Sequence, residues 1–208
     1  MRAHSTSLFL LAAALPLAAM APAQADVVVD CGGGAVTIDQ SLEVVTVTGV
    51  CTEITITASN SDVSLPAANL VTVTGSNLAI TSGAVTGAVN MGGGNNTFTG
   101  SSAGTVQVTG ANTMAAFTGD INVASIKAGN SSIKAAVLGA ATVTGDNNSV
   151  VAKAGKSLVF RGANNSARYT TLALAKVIGQ NNLVAVKKGR TKVVVRGANN
   201  VIRVHKRS

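Results

Sequence analysis

Aromatic side chains are almost missing from this sequence. Its 208 residues include no tryptophan and one tyrosine, and 2% of them are aromatic. Large rings supply much of the buried surface in ordinary globular cores, so their scarcity favours a narrow core of Val, Ile, Leu and Ala. It also counts against nucleic acid as a partner, because single-stranded nucleic acid binds by stacking its bases on exposed rings.

Histidine is nearly absent as well. The chain has two histidines, and His205 is the one that lies after Ala25. A catalytic triad cannot be assembled around a single histidine near the end of the chain. We therefore expect a protein that is not an enzyme and has no cofactor or metal site. The remaining enzymatic alternative is glycan cleavage by Asp39 and Glu43, although both are also typical of solvated turns.

A repeated Gly-x-Asn-Asn phrase is the strongest signal that is present. The phrase begins at four glycines: Gly145, Gly162, Gly179 and Gly197. Their residue numbers increase by 17, 17 and 18. A weaker copy runs upstream through four more: Gly75, Gly94, Gly110 and Gly129. A unit this short cannot bury its own apolar face, so it must stack on its neighbours.

Apolar and variable residues alternate on both sides of each glycine. Around Gly145, Ala141 and Val143 precede the turn, and Val150 and Ala152 follow it. This period of two is typical of strands with one buried face. We predict an all-β, single-stranded β-solenoid over residues 26–208, with coils of about 17 residues. Nine or ten such coils are expected, and the paired asparagines are interpreted as turn residues, with a polar binding strip as the alternative.

The segment 1–25 has the pattern of a cleaved secretory signal peptide. Arg2 precedes the apolar run LFLLAAALPLAAMA, and Ala23-Gln24-Ala25 is a small-x-small cleavage site. The mature chain is then 26–208, and the protein is secreted, periplasmic or held in the cell envelope. The two cysteines, Cys31 and Cys51, are a little more than one coil apart. An even number in an exported chain predicts a disulfide, here between the first and second coils.

The segments CGGGAVTI, VTVTGVC and TEITIT, with the repeated GxNNxV phrases, resemble a bacterial exported family known as domain of unknown function three-zero-six-zero. The resemblance covers essentially the whole mature chain, and its most specific part is the Cys-Gly-Gly-Gly opening with the second Cys after a Val-Thr strand. It implies the fold and the export, and it implies no particular activity. The chain departs from the family in ASNSDVSL, which lacks the doubled Asn, and in its unusually basic carboxyl-terminal coils.

Charge is divided between the two halves of the chain. Residues 26–126 contain seven acids and no Lys or Arg, whereas residues 127–208 contain fifteen Lys and Arg and one acid, Asp146. Because sequence order becomes axial position in a solenoid, we predict a rod with an acidic half over 26–126 and a basic half over 127–208.

Basic residues in the second half recur at intervals of two coils. The residue numbers of Arg168 and Arg203 differ by 35, and those of Lys153 and Lys187 differ by 34. The residues predicted to bind a polyanion are Arg161, Arg168, Arg196, Arg203, Lys153, Lys156, Lys187 and Arg190. The four arginines are expected to form one column and to carry most of the binding, because guanidinium makes bidentate contacts with carboxylate and phosphate.

The sequence thus predicts an exported, non-enzymatic envelope protein. Its basic carboxyl-terminal coils are expected to contact an anionic glycan or a lipid surface. The alternative is a structural subunit that assembles head to tail, with the acidic end of one copy against the basic end of the next. Protection of a sheet edge and plain solubility are the simpler explanations of the basic residues.

Overall fold

The computed structural model describes residues 26–205 and confirms the β-solenoid. No helix occurs in that range, and the strands form two stacks in which every pairing is parallel. The first sheet has eleven strands, and the residue numbers of paired residues differ by 17 or 18. They are β1 (Asp26–Asp30), β3 (Val44–Thr48), β5 (Asp62–Leu65), β7 (Ala79–Ser82), β9 (Thr97–Gly100), β11 (Met114–Phe117), the first parts of β13 (Ser132–Thr144), β14 (Ser149–Arg161) and β15 (Ser166–Ile178), then β16 (Leu183–Lys188) and β18 (Val201–Val204).

The second sheet has ten strands and follows the first sheet within each coil. They are β2 (Ala35–Ile38), β4 (Cys51–Ile56), β6 (Ala68–Val73), β8 (Val85–Met91), β10 (Ala103–Val108), β12 (Ile121–Ile126), the second parts of β13, β14 and β15, and β17 (Lys192–Arg196). One coil is thus one strand of each sheet. The signal-peptide prediction concerns residues 1–25, which lie outside the described residues.

The predicted inward positions form a single core between the two sheets. In coil 8, Val150 and Ala152 of the first sheet and Leu158 and Phe160 of the second are all buried. The same positions in other coils carry mainly Val, Ile, Leu and Ala, so the core is a stack of small apolar columns. Each fully buried aliphatic side chain contributes about 1.5–3 kcal/mol. The outer faces of the two sheets point away from this common core.

The predicted number of coils was too small. Eleven first-sheet strands make ten steps of about 4.8 Å, so the described solenoid is about 48 Å long. The first two turns were not recognised because they have no glycine in the turn column, and Ala58 fills that position in the second turn. In the second of these turns, Ser59 and Ser61 flank Asn60, and Ser61 is buried where later coils have their second Asn.

Two glycines in the weaker repeat were assigned to the wrong position. Gly93 and Ala128, rather than Gly94 and Gly129, lie in the column of turn residues, as the contacts of Gly93 and Gly145 with the preceding coils show. With this register the residue numbers from Gly75 to Gly145 increase by 18, 17, 18 and 17. The intervals of 19, 16, 19 and 16 between the glycines named in the weaker repeat therefore came from choosing the following glycine in every second coil.

The asparagine phrases are turns, as predicted, and their two asparagines have different roles. The first position holds an asparagine with left-handed backbone in nine turns of the described part, with φ between 54° and 59°. In five of these turns a second asparagine follows it. The second is buried: Asn165 accepts a hydrogen bond from the Asn148 N–H at 2.9 Å and donates from Nδ2 to the Gly145 carbonyl at 2.9 Å. Its amide is thus used inside the fold, and it offers no surface strip to a ligand.

The predicted disulfide is present between Cys31 and Cys51. Their Cα atoms are 5.3 Å apart, and both side chains are buried. Cys31 follows β1 of the first coil, and Cys51 begins β4 of the second coil. The bond therefore joins adjacent coils at the amino end, where the first coil has a neighbour on one side alone within the described residues.

Candidate functional site

Five basic side chains form a line along the outer face of the first sheet. We call them the basic row: Lys134, Lys153, Arg168, Lys187 and Arg203. They occupy coils 7 to 11, one in each coil, and all five are exposed. They are outward because their neighbours along the strand, such as Ala135 and Tyr169, are buried in the core. The repeat therefore places one positive charge on the same face of the solenoid in each of five successive coils.

The row alternates between two neighbouring columns of the sheet. In one column Lys134 pairs with Val151, which pairs with Arg168, then Ala185 and Arg203. The other column contains Lys153 and Lys187, with Thr170 between them in the register. Charges in one column are therefore two strands apart, about 9.6 Å, and the columns are about 6.7 Å apart.

This zigzag arrangement keeps like charges from lying directly opposite one another. Like charges on directly paired residues destabilise a sheet, and here each pairing partner of a basic residue in the row is uncharged. In the coil between Lys134 and Arg168, for example, the paired residue is Val151. The exposed sheet can consequently hold one positive charge per coil over five coils with little repulsion between adjacent strands.

Four members of the row line one shallow groove. Lys134, Lys153, Arg168 and Lys187 surround it together with Val151 and Thr170, and its volume is about 270 Å³. Pockets for small molecules are usually larger, about 300–1,000 Å³, and mostly enclosed. The groove is instead a surface channel that follows the row, which suits an extended ligand better than a compact one.

Little negative charge is available to neutralise the row. Asp146 is the one acid in residues 127–208. Its Oδ1 accepts a hydrogen bond from the Ala163 N–H at 2.6 Å, so its position is determined by the turn of the next coil. This turn joins the second sheet of one coil to the first sheet of the next. Lys153 and Lys187 lie near the other corner of the coil, where the first sheet leads into the second. Coils 7 to 11 therefore carry no acid on the face of the basic row, and a line of unneutralised positive charges attracts anions.

The structure divides the predicted arginine column between the two sheets. Arg161 pairs with Ile178, which pairs with Arg196, on the second sheet, whereas Arg168 and Arg203 lie on the first. The Gly-Asn-Asn turn carries the chain from one sheet to the other between residues 161 and 168. The spacing of two coils is confirmed within each pair, but the four side chains do not form one surface.

The other predicted lysine and arginine positions differ in their setting. Lys156 is exposed in β14 where the strand passes between the sheets. Arg190 lies in the loop after β16 and lines a separate cleft with Lys187, Lys188 and His205. Lys156 and Arg190 therefore do not lie in one column of paired residues. The loop between β16 and β17 has one residue more than the corresponding segment of the preceding coil.

Sequence reasoning missed Lys134 of the row. Its residue number is 34 below that of Arg168, the same two-coil interval that identified the other pairs. On the second sheet, Lys127 was missed in the same way: it lies two coils before Arg161 in one column. Both signals were visible in the sequence, but both residues lie before Gly145, where the strong repeat starts.

A buried tyrosine lies directly beneath the row. Tyr169 is 2% exposed, and its hydroxyl has no hydrogen-bond partner. Burial raises the pKa of this phenol well above its ordinary value. A Cβ on Gly155 would lie 2.6 Å from the Tyr169 ring, so the glycine makes room for it. The ring supports the floor of the groove from below and is not available for stacking on a ligand.

The two acids considered for glycan cleavage are in different settings. Asp39 is exposed after β2, and Glu43 is half-buried before β3, with Oε2 buried and without a hydrogen-bond partner. Among residues 26–205 no group of three or more metal-ligating side chains is close enough to hold a metal ion.

Comparison with protein-family models, curated proteins and solved structures finds no match to this chain. The resemblance to the exported family of unknown function therefore stays a prediction. In the described range, no helix has the length and apolar character needed to cross a membrane.

Proposed function

We propose that this is an exported, non-enzymatic protein of the cell envelope, and that its basic row binds a linear anionic polymer. The observation that carries the proposal is the zigzag of one exposed positive charge per coil along coils 7 to 11. Such a line follows the solenoid axis for four steps, about 19 Å. A polymer with regularly spaced carboxylate or phosphate groups can meet several of these charges at once.

Export is supported by two independent features. The leader-like sequence over residues 1–25 indicates secretion, and the disulfide between Cys31 and Cys51 is typical of an oxidising compartment. Surface glycans and lipids are the polyanions that such a compartment offers. The described aromatic rings, Phe98, Phe117, Phe160 and Tyr169, are all buried, so base stacking by nucleic acid has no support.

A glycan is favoured over a membrane by the side chains between the charges. Val151, Thr170 and Ala185 are the outward residues that alternate with the row, and none of them is a long or aromatic apolar side chain. Membrane-surface binding gains much of its strength from large apolar side chains that enter the headgroup region. The groove supplies charge without such side chains, as expected for a hydrated acidic polysaccharide.

Two variants with the same loss of charge test the proposal. The first removes the row's main column with Lys134→Gln, Arg168→Gln and Arg203→Gln. The matched control removes the second-sheet column with Lys127→Gln, Arg161→Gln and Arg196→Gln. Three exposed ion pairs at about 0.5 kcal/mol each amount to roughly a tenfold loss of affinity. We expect that loss, and a weaker salt dependence, for the first variant and a clearly smaller change for the control.

The measurement is binding to a soluble acidic polysaccharide and, separately, to anionic vesicles over a range of salt concentrations. Equal losses in both variants would show that net charge alone is responsible and would overturn the assignment to the row. Binding to vesicles but not to the polysaccharide would show that the ligand of the basic row is a lipid surface and not a glycan. Circular dichroism of both variants checks that the fold is kept, since all six side chains point outward.

A further inference from the structure

Each end of the described solenoid leaves one strand of each sheet with an open edge. Within residues 26–205, β1 pairs with β3 alone and β2 with β4 alone, while β17 pairs with β15 alone and β18 with β16 alone. The free edge of a strand presents N–H and C=O groups that pair readily with another strand. The two ends therefore offer two strand edges each to a partner.

The carboxyl end is stepped, because the described part of the chain ends within coil 11. Its last first-sheet strand, β18, lies in coil 11, whereas its last second-sheet strand, β17, lies in coil 10. At the amino end, β1 and β2 both lie in coil 1. A copy shifted along the axis without rotation would place β1 on β18 and leave one strand missing between β2 and β17. Such a shift cannot continue both sheets.

A half-turn about the solenoid axis removes this mismatch. One coil consists of two strands and advances by only about 4.8 Å along the axis, so its two strands run in opposite directions on opposite sides of the core. A half-turn exchanges the two sides and reverses both strand directions. In a copy rotated in this way, β1 lies parallel to β17, and β2 lies parallel to β18. Both sheets then continue by one step, in the order in which the chain winds.

The strands and turns that would meet are equal in length. β1 and β17 have five residues each, and β2 and β18 have four each. The turns that join them, 31–34 and 197–200, both have four residues, whereas β3 and β4 are joined by two. Asp26–Ile38 can therefore lie on Lys192–Val204 residue for residue. The long turn of coil 1, which differs from the next turn between the two sheets, matches the turn on which it would lie.

In this register, every inward residue at one end meets an inward aliphatic residue at the other. Val195 is 42% exposed although Val177, its partner in the preceding coil, is fully buried. Val29 of the second copy would cover it. The four inward pairs are Val193 with Val27, Val195 with Val29, Ile202 with Val36, and Val204 with Ile38. The contact would remove apolar surface at both ends from water, which favours association.

The outward residues that flank the valines of β1 and β17 carry opposite charges. β17 has the sequence KVVVR, and β1 has the sequence DVVVD. Lys192 then lies opposite Asp26, and Arg196 lies opposite Asp30. A shift by two residues would also keep the valines inward, but it would separate both charge pairs. Complementary charges at an interface select its register and suppress the alternatives.

We propose that copies of this protein join through these strand edges, with β1 of one copy added to β17 of another and β2 added to β18. The contact is heterologous, because two different surfaces meet, and its repetition produces an open filament. Each copy is rotated by half a turn relative to the copy before it, so the basic rows lie on alternate sides of the filament. The proposal does not depend on polyanion binding.

A pair of engineered cysteines tests the strand pairing and the half-turn together. Val28 and Val194 both point outward and would be directly paired across the contact, on strands about 4.8 Å apart. A disulfide needs Cα atoms about 4.4–6.8 Å apart. The variant Val28→Cys with Val194→Cys should therefore form cross-linked multimers on oxidation, seen on non-reducing gels.

The matched control combines Val28→Cys with Val201→Cys. Val201 is also exposed, but it belongs to β18, so in the proposed contact it lies on the far side of the core from Val28. We expect no cross-linked multimers from this control. Equal cross-linking of the two variants, or none in either, would overturn the proposed pairing.

A charge in the open core column tests the contact independently. Val195→Glu would bury a charge without a partner when a second copy adds, so the concentration needed for assembly should rise at least about a hundredfold. Val123→Glu is the matched control, since Val123 is 46% exposed and lies in coil 6, far from both ends. The readout is sedimentation and electron microscopy of the exported protein, without tags or polyanion, as a function of concentration.

We expect concentration-dependent filaments for the parent and for Val123→Glu. A parent that stays monomeric at all concentrations contradicts the proposal, and so do filaments that form equally in both variants, since association would then use another surface. Circular dichroism checks the fold of each variant. If Val195→Glu fails to fold, the cysteine pair decides the question alone.

Discussion

The turns of the two halves of the solenoid differ although they lie in one column. In the carboxyl-terminal half, the turn glycines from Gly145 to Gly197 have φ between 114° and 145°. Their counterparts Gly75, Gly93 and Gly110 have no positive φ in the described structure, and Ala128 fills the same position. From Gly145 onward, both the positive φ and the close approach of the preceding coil favour glycine. In the earlier turns the close approach alone favours it, and one of them accommodates Ala128.

The buried amide ladder shows the same contrast. In the carboxyl-terminal half it consists of consecutive asparagines, Asn148, Asn165 and Asn182, each bonded to the next. Earlier in the chain the position is shared by different residue types: Ser61, Leu78, Asn96, Thr113 and Ser131. The ladder continues from Asn182 to Asn200, so its separations are 17, 17 and 18. A run of asparagines thus keeps its hydrogen bonds even where one coil has an extra residue.

The outer faces differ most, and the core differs least. The outward column of the first sheet carries Thr46, Ser64, Thr81 and Thr99 in the early coils. The same column carries Lys134, Arg168 and Arg203 in the late ones. Inward residues stay mostly aliphatic throughout. The core and the turns thus determine the coil, and the outer columns are left free to carry charge without changing the fold.

The largest expected effect concerns the late turns. Gly179→Ala introduces a side chain where φ is +130°, and its Cβ would overlap the backbone carbonyl oxygen of Gly162. Left-handed strain costs about 1–2 kcal/mol, and the overlap forces a whole coil to shift. We expect a loss of about 3 kcal/mol or more in the free energy of unfolding, measured by denaturant titration.

Gly129→Ala is the matched control for this turn. Its Cβ would have ordinary contact, 3.6 Å, with the Asp146 carbonyl oxygen, and its φ is not positive. A change of less than about 1 kcal/mol is expected. Equal losses in the two variants would mean that the register with Ala128 in the turn column is wrong.

The fold was predictable because strands, turns and coils repeat. Alternating residues such as Val150 and Ala152 identified the inward face, and the disulfide followed from two cysteines about one coil apart. The surface was less predictable. The two-coil interval showed that Arg161 and Arg196 share a column, but it does not show how sharply the turn bends. That bend separates them from Arg168, and it is a property of packing rather than of spacing.

The disulfide offers a test of how independent the two halves are. Replacing both Cys31 and Cys51 by Ala removes a cross-link between positions separated by 20 in the sequence, which is worth about 3 kcal/mol in the chain-entropy model. Because coils are stabilised by their nearest neighbours, the loss should be confined to the first coils. Hydrogen exchange should become faster in β1 to β4 and stay unchanged after Gly145. Faster exchange along the whole chain would show that the two halves unfold as one unit.

The smallest change in stability at neutral pH is expected for Tyr169→Phe, and this change becomes larger as the pH rises above 10. Its buried, unpaired hydroxyl is unfavourable, so Tyr169→Phe should stabilise the protein by about 1 kcal/mol. The folded protein favours the neutral phenol, since burial raises its pKa above the ordinary value of about 10. The stability of the parent is therefore unaffected by this group below about pH 10. Above it, stability falls by up to about 1.4 kcal/mol per pH unit until the raised pKa is reached.

The chain has one tyrosine, so phenolate absorbance reports this group alone. In the folded parent the absorbance should stay flat above pH 10 and rise only with unfolding, and Tyr169→Phe should unfold at higher pH. The difference between parent and variant isolates this group, because both share the same lysines. An ordinary titration near pH 10 in the folded state would show that the ring is open to water. The groove above it would then be deeper, and the basic row would have an aromatic floor that a ligand can touch.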